Sequence, residues 1–334
     1  MTAVSLLGTA SYLPARVVDN DFFGLDVGSS RGAMFRGSRH RHHVADDETA
    51  VSMIERAATR LGERLGAGDV RGVDLILTNV TCPDLPFTGC GASVARALGA
   101  RPRVVIDLHN AGCVSFIYMM KVASVLIRAG EGTSALLCNV QNLAGRVFRH
   151  PGNRTRPQSA VPGDGCGVGL VAASAASPIE AIAVHAFGEH ADDMQVVSDD
   201  GQPWWAPRAT PVHVDFNEAR VAAIIARGNR LVPQVVTEAC RAAGLPLAAI
   251  DVLVTNQPNP TFLRNWREAL QVREDAHVNT FEDHGNLFGA ALPIGVERAV
   301  DTGRLRPGGH LVLGGFAHAG DYAASAVVHW YPVA

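Results

Sequence analysis

The chain has little charge and lacks several features that would assign it to a common class of protein. Asp, Glu, Lys and Arg make up 18% of the 334 residues and the net charge is −3, which disfavours a basic surface for nucleic acid. No apolar run reaches the length of a membrane span, and the N-terminus lacks the basic start of a signal peptide. We therefore expect neither a nucleic-acid nor a membrane partner.

The cysteine content also excludes two classes. Six cysteines are scattered along the chain without the CxxC spacing typical of zinc sites. They are too sparse for a domain stabilised by disulfides, so they predict a cytoplasmic location and no metal centre. A Gly-x-Ser-x-Gly segment is also absent, which disfavours a serine hydrolase.

One cysteine occupies a position where thiols can react. Cys113 lies between the apolar run 104–108, which predicts a buried strand, and a helical pattern from about Phe116 to Ala129. The free N–H groups and the dipole at a helix N-terminus lower a thiol's pKa and can hold an oxyanion. Position alone equally fits a small residue that fills a tight corner, so both interpretations stay open at this point.

Two similar segments indicate an internal duplication. VDLILTN at 73–79 and IDVLVTN at 250–256 each follow an amphipathic helical pattern, and each precedes prolines and another helix. This predicts an α/β protein with halves at 1–172 and 173–334. Asn79 and Asn256 would then lie at equivalent strand ends, where parallel sheets bind ligands, with Cys113 near the pseudo-twofold axis.

Two polar stretches are harder to interpret. Residues 26–47 contain a basic cluster (Arg36, Arg39, His40, Arg41, His42 and His43), which is either a solvated loop or an anion-binding rim. Residues 192–208 predict a surface loop.

Six short segments together carry the most specific signal: RHRHHVADDET at 39–49, GCVSF at 112–116, PGDGCG at 162–167, NQPN at 256–259, DHGN at 283–286 and FAHAG at 316–320. In this order they make the chain resemble the ketosynthase III (3-oxoacyl-acyl carrier protein synthase III) branch of the thiolase-like condensing enzymes. The resemblance covers essentially the whole chain. It implies a thiolase-like duplicated five-layer αβαβα fold and a homodimer.

The resemblance assigns catalytic roles unevenly. Cys113 matches the nucleophile that takes an acyl group from a thioester, and Asn286 matches the catalytic asparagine. The family's catalytic histidine is replaced by Asn256, which can donate a hydrogen bond but is no base near neutral pH. A glycine whose N–H completes the family's oxyanion hole is replaced by His318. We therefore expect impaired decarboxylative condensation, with acyl loading supported by the helix dipole.

Another residue would have to act as the base. His318, oriented by Asp321, is the best candidate by position, although an ordinary hydrogen-bonded loop histidine is the alternative. His284 is a weaker candidate, because typical family members also have it.

The resemblance also implies substrate contacts. Phe87 matches a residue that the partner subunit contributes to the acyl pocket, and Asn259 matches an asparagine near the pantetheine. The arginines in regions that contact CoA phosphates are Arg36, Arg41, Arg154 and Arg156. No adenine-stacking aromatic is evident near Gly37, so CoA and acyl carrier protein both remain possible donors. No cofactor is expected beyond the CoA or phosphopantetheine thioester.

The sequence therefore predicts an acyltransferase with an acyl-Cys113 intermediate, in a secondary-metabolite or fatty-acid/polyketide pathway. It would pass the acyl group to a small-molecule acceptor by O- or N-acyl transfer or by an atypical condensation. Two alternatives remain open: a decarboxylative starter-unit synthase, and a non-catalytic partner subunit of an active ketosynthase.

Overall fold

A computed structural model describes residues 2–24, 38–66, 70–207, 210–216 and 218–331. Fourteen strands and seven α-helices lie in these ranges. The strands are β1 Val4–Tyr12, β2 Arg16–Val18, β3 Arg41–His43, β4 Leu75–Val80, β5 Val104–Asp107, β6 Ser134–Gln141, β7 Gly165–Ala173, β8 Ile179–Ala186, β9 Met194–Ser198, β10 Val212–Phe216, β11 Val252–Thr255, β12 His277–Val278, β13 Gly309–Ala317 and β14 Tyr322–Trp330. The helices are α1 Ala50–Arg64, α2 Gly91–Leu98, α3 Ser115–Arg128, α4 Val221–Ala242, α5 Pro260–Leu270, α6 Phe281–His284 and α7 Ala291–Asp301.

Two five-stranded sheets repeat one topology. The first has the order β5-β4-β6-β7-β1 and the second has β12-β11-β13-β14-β8. The first three strands of each are parallel, and the remaining pairs are antiparallel. The two similar segments of the sequence therefore form equivalent strands, β4 and β11. The division into domains at residue 172 stays a prediction.

The elements stack in five layers. Helices α1 and α2 cover the outer face of the first sheet, and α4 and α5 cover that of the second. Helices α3 and α7 lie between the sheets, where they form the central hydrophobic core with both inner faces. The glycines of β7 allow this close packing, since a Cβ at Gly169 would lie 2.7 Å from the Phe116 ring.

Side chains that satisfy free backbone N–H groups define two helix starts. The Thr49 hydroxyl accepts from Ser52 N at 3.0 Å, and the Ser52 hydroxyl accepts from Thr49 N at 3.1 Å, which forms a capping box for α1. Asn259 accepts from Phe262 N at 3.0 Å and begins α5, with Pro260 in the first turn. Among the described helices, none combines the length and hydropathy that crossing a bilayer requires.

Two predictions of local structure are wrong. The run 104–108 forms β5, but this strand alternates between half-buried and exposed residues, because it lies at the edge of the first sheet. Residues 192–208 are only partly a loop, since Met194–Ser198 pairs with Val212–Phe216 as a two-stranded ribbon. Short ribbons with exposed residues lack the apolar alternation that identifies a strand in a sequence.

Candidate active site

Cys113 lies in a sharp turn between β5 and α3. Residues Gly112–Val114 form one 3₁₀ turn, and α3 begins directly after it at Ser115. Ala111 and Gly112 have φ values of 64° and 33°, in the region that L-residues rarely adopt. The chain therefore reverses within two residues and leaves the Cys113 side chain partly exposed at the helix N-terminus.

A buried polar network beneath the turn holds this geometry. The Asn139 amide donates to the Ser115 hydroxyl at 2.6 Å, and that hydroxyl lies 3.0 Å from Asn79 Oδ1 and 2.7 Å from Gly112 O. Asn79 also donates to the carbonyl oxygens of Leu108 and Asn110. The sequence analysis missed Ser115 and Asn139 as parts of the site. Their signal was a polar residue inside an apolar helix and strand, where burial requires a hydrogen-bond partner.

The environment of the sulfur contradicts the expected lowering of its pKa. The pKa of the Cys113 thiol is raised to about 12, mainly by burial and also by the negative charge of Asp321. Hydrogen bonds from the Asn256 side chain and from the backbone N–H groups of His318 and Cys113 act in the opposite direction. Desolvation outweighs these donors, so the thiol is protonated at neutral pH.

Asn256 is held beside Cys113 by a two-way pair with the Phe316 backbone. Its Nδ2 donates to Phe316 O at 3.1 Å, and its Oδ1 accepts from Phe316 N at 3.3 Å. This pairing sets the orientation of the amide and leaves its second N–H for the sulfur. A Cβ at Gly315 would lie 2.6 Å from Asn256 Oδ1 and 3.0 Å from Val114, so only glycine allows this approach.

The structure places the His318 imidazole against the turn of Cys113. A Cβ on Gly112 would lie only 2.7 Å from His318 Nε2. On the other side of the ring, Nδ1 lies 2.9 and 3.0 Å from the carboxylate oxygens of Asp321. Because a carboxylate only accepts hydrogen bonds, Nδ1 carries a proton, and Nε2 is the ring nitrogen that lies next to Cys113.

The loop that carries His318 is anchored from behind. His318 has a φ of 49°, which costs energy for a residue other than glycine. Arg227 donates to Ala319 O at 2.6 Å and contacts the buried Asp193 at 2.8 Å. Ion pairs with Arg220 and Arg227 lower the pKa of Asp193. This anchor holds the backbone N–H of His318 in place for the sulfur.

Asn286 comes from a neighbouring loop that packs on the same turn. Its Oδ1 accepts from Phe288 N at 3.0 Å, which leaves the amide N–H groups of its side chain as donors. A Cβ on Gly289 would lie 2.8 Å from Gly112 O and 2.3 Å from the Ser115 hydroxyl. The loops of Asn286, Asn256 and His318 therefore lie around the Cys113 turn.

His284 lies apart from this group. Its ring is 5.4 Å from that of His42, and within the described residues none of its ring or hydrogen-bond contacts reaches Cys113. Burial lowers the pKa of His284 to about 4, so the ring is neutral. The structure does not bring it together with Cys113, which disfavours the role of base.

Two residues of the basic cluster at 26–47, Arg41 and His43, belong neither to a solvated loop nor to an anion-binding rim. Both residues are buried in β3, and burial lowers their pKa values to about 10 and about 3. Arg41 donates to Asn20 and Ser38, and its guanidinium covers the Phe23 ring. The predicted phosphate contact of Arg41 is therefore wrong, because the side chain is used inside the protein.

The other predicted substrate residues have varied surroundings. Arg154 is exposed and lies over the Phe22 ring, whereas Arg156 forms a bidentate pair with Asp199. Asn259 is buried as the cap of α5. Arg36 lies outside the described residues. Phe87 is 94% exposed and lines a groove of about 340 Å³ beside β5.

Comparisons with known proteins identify the family of the chain. Residues 106–188 match the family model described as 3-oxoacyl-[acyl-carrier-protein (ACP)] synthase III, and residues 240–330 match its C-terminal model. The chain is 28% identical over 322 residues to beta-ketoacyl-[acyl-carrier-protein] synthase III of Xanthomonas axonopodis pv. citri, covering 93% of this chain and 94% of the relative. The enzyme of the same name from Paramagnetospirillum magneticum is 29% identical over 323 residues, covering 93% and 95%.

Solved structures show the same fold. The beta-ketoacyl-[acyl carrier protein] synthase III of Thermus thermophilus superposes with a TM-score of 0.83 at 25% identity, covering 98% of this chain and 99% of that one. The priming beta-ketosynthase of the R1128 polyketide biosynthetic pathway superposes with a TM-score of 0.83 at 21% identity, covering 99% and 96%. The predicted thiolase-like duplicated fold is confirmed.

Proposed function

This chain belongs to the ketosynthase III (3-oxoacyl-[acyl-carrier-protein] synthase III) family, and on that basis we propose that it is an acyltransferase with an acyl-Cys113 intermediate. The acyl group passes to a hydroxyl or amine of a second substrate without loss of CO₂. The observation that carries this proposal is the His318–Asp321 pair against the Cys113 turn, beside Asn256, which occupies the position that the sequence resemblance assigns to the family's histidine.

Loading begins with the protonated Cys113 thiol. His318 Nε2 accepts the thiol proton while the sulfur attacks the thioester carbonyl, so that a C–S bond forms and the carbonyl oxygen becomes an oxyanion. The backbone N–H groups of Cys113 and His318 point to this region and hold that oxyanion. When the intermediate collapses, the thiolate of the donor leaves and takes the proton back from His318.

Transfer uses the same groups in a second cycle. His318 removes the proton from the acceptor's hydroxyl or amine as it attacks the acyl-cysteine, and the Cys113 thiolate leaves and is reprotonated. Asp321 holds the imidazole in the tautomer that this requires, since it accepts from Nδ1. An imidazole oriented by a carboxylate supports proton transfer to an acceptor better than two asparagines do.

Atypical or decarboxylative condensation is the second candidate function. It is supported by two amide donors, the Asn256 N–H that faces the sulfur and the Asn286 amide, whose loop packs against the Cys113 turn. Two donors can hold the enolate that forms when malonyl thioester loses CO₂. One N–H of Asn256 already donates to Phe316 O and the other to the sulfur, which weakens the case for condensation.

Loss of labelled CO₂ separates the two functions. With carboxyl-labelled malonyl thioester and an acylated enzyme, we expect release at least about 10²-fold slower than with a typical family member, since a placed acid–base group contributes about 10²–10⁴-fold. Asn256→His should raise the release, and Asn256→Gln serves as the matched control without a base. Release by the unmodified protein at the rate of a typical member would favour condensation.

The proposed function is tested in two stages by intact-mass measurement. A panel of acyl-CoA and acyl-carrier-protein donors should add one acyl group per chain, and hydroxyl or amine acceptors should then discharge it. Loading without discharge by any acceptor, but with discharge by malonyl thioester, would indicate condensation. Failure of every donor to load would indicate the remaining alternative, a non-catalytic partner of an active ketosynthase.

The donor is either CoA or an acyl carrier protein, and the exposed Arg154 supports recognition of a phosphate in both. Arg156 is a weaker candidate, because Asp199 already binds its guanidinium in a bidentate pair. We also propose a role in a polyketide, fatty-acid or secondary-metabolite pathway and a reducing, cytoplasmic location. The location is supported by six free cysteines.

We further propose that the protein is a homodimer joined along β5. This edge strand leaves backbone groups without partners in the sheet, and exposed apolar side chains lie nearby, including Phe87, Leu85 and Val105. Exposed apolar residues beside an open edge are typical of an interface.

Light scattering after gel filtration measures the expected dimer. Phe87→Asp should weaken association at least about tenfold, because it buries a charge in an apolar contact. Val196→Asp is the matched control, since Val196 is 54% exposed on β9. A monomeric unmodified protein at micromolar concentration would rule out the dimer.

A further inference from the structure

Three possible metal ligands meet on the second sheet, at the end away from Cys113. Glu180 on β8, His310 on β13 and His329 on β14 come from adjacent strands, and their ligand atoms lie within 4.8 Å of one another. His310 and Ala317 are seven positions apart along β13, which corresponds to roughly 23 Å at about 3.3 Å per residue. This cluster is therefore independent of the proposed active site.

The two imidazoles are arranged in parallel with their nitrogens available. His310 and His329 are direct cross-strand partners, and their rings stack at 4.6 Å with an interplanar angle of 8°. Among the described residues, no hydrogen bond engages the ring nitrogens of either histidine. Their side chains are 28% and 29% exposed, so an ion can reach them from solvent.

A carboxylate lies near each of the two imidazoles. Glu180 Oε1 lies 3.9 Å from His329 Nδ1, and Asp251 Oδ2 lies 3.8 Å from His310 Nδ1. The pairing of β8 with β14 shifts between Val327 and Val328, and this irregularity places Glu180 between the paired residues Ile179 and Ala181. An irregularity of this kind redirects a side chain, here toward the histidines.

We propose that Glu180, His310 and His329 bind one divalent transition-metal ion of the zinc class, with water as the remaining ligand. Two imidazoles and one carboxylate match the ligand preference of Zn²⁺ and Co²⁺, and bonds of about 2.0–2.2 Å place tetrahedral ligands about 3.3 Å apart. Small side-chain rotations bring the three groups from their present separation to that spacing. The ion would link three adjacent strands and stabilise the C-terminal sheet.

The chain offers a matched control at another surface position. His185 on β8 of the same sheet has its Nε2 2.7 Å from Oε2 of Glu238 on α4, so this pair has the same residue types but lacks a second imidazole. One histidine and one carboxylate bind such ions much more weakly than three ligands. His185→Gln should therefore leave the binding of the metal unchanged.

Titration of the tag-free protein with Co²⁺ and Zn²⁺ tests the site. We expect one tight equivalent per chain with a Co²⁺ spectrum free of thiolate charge-transfer bands, which separates it from binding at a cysteine. His329→Gln, His310→Gln and Glu180→Gln should each weaken binding at least tenfold, and saturating Zn²⁺ should raise the melting temperature of the unmodified protein and of His185→Gln but not of these three variants. Absence of a stoichiometric site at micromolar metal, or equal affinity in His329→Gln, would overturn the proposal.

Discussion

Cys113→Ala removes acyl-enzyme formation completely and lowers acyl transfer by at least about 10³-fold, because no other nucleophile can replace the sulfur in this turn. Intact-mass measurement with a donor that acylates the unmodified protein provides the test. Cys82→Ala is the matched control, since Cys82 is the other partly exposed cysteine. An acyl adduct on Cys113→Ala that survives gel filtration would contradict the assignment.

The raised pKa of the Cys113 thiol also predicts how its reactivity depends on pH. Because burial raises the pKa of Cys113 to about 12, the thiolate fraction is small at pH 7 and grows about tenfold with each pH unit up to that pKa. Alkylation of Cys113 by iodoacetamide should therefore accelerate from pH 7 to pH 10 without reaching a plateau. A plateau near pH 7 would show that the helix dipole and hydrogen bonds lower the pKa after all.

His318→Asn slows discharge of the acyl-enzyme to a hydroxyl acceptor by about 10²–10⁴-fold, which is the usual contribution of a placed general base. Asparagine tolerates the left-handed backbone conformation of this position. The backbone N–H of residue 318, which is the proposed oxyanion donor, is therefore retained in this variant. Asp321→Asn should reduce the same step by a smaller factor, because the asparagine oxygen can still accept from Nδ1 but the negative charge that stabilises the protonated ring is lost. Single-turnover kinetics from pre-acylated enzyme measure both.

A recovery at high pH distinguishes a base from a structural residue. Raising the pH should restore loading of His318→Asn, since solvent then generates the thiolate, and should restore discharge to an amine acceptor more than to a hydroxyl. His185→Gln provides a control for loss of a surface histidine with a carboxylate partner. Discharge by His318→Asn at the rate of the unmodified protein would show that His318 is not the base. The acceptor would then have to lose its proton before it binds.

The sequence alone was sufficient for the repeated strand order and for the position of Cys113 between a strand and a helix. These depend on local apolar patterns and on motifs, and both are properties of neighbouring residues. The similarity of VDLILTN and IDVLVTN correctly predicted that β4 and β11 would occupy equivalent places in the two sheets. Helix α3 directly after Cys113 was likewise predictable from its apolar spacing.

Only the tertiary structure decided the chemistry around that cysteine. Desolvation depends on every group packed around the sulfur, which is why the thiol pKa rises where the helix N-terminus alone predicted a fall. The burial of Arg41 and the exposure of β5 likewise follow from where each strand lies in the molecule. The sequence determined which residues this site has, and the packing of distant segments determined that His318 and Asp321 face Cys113 while His284 does not.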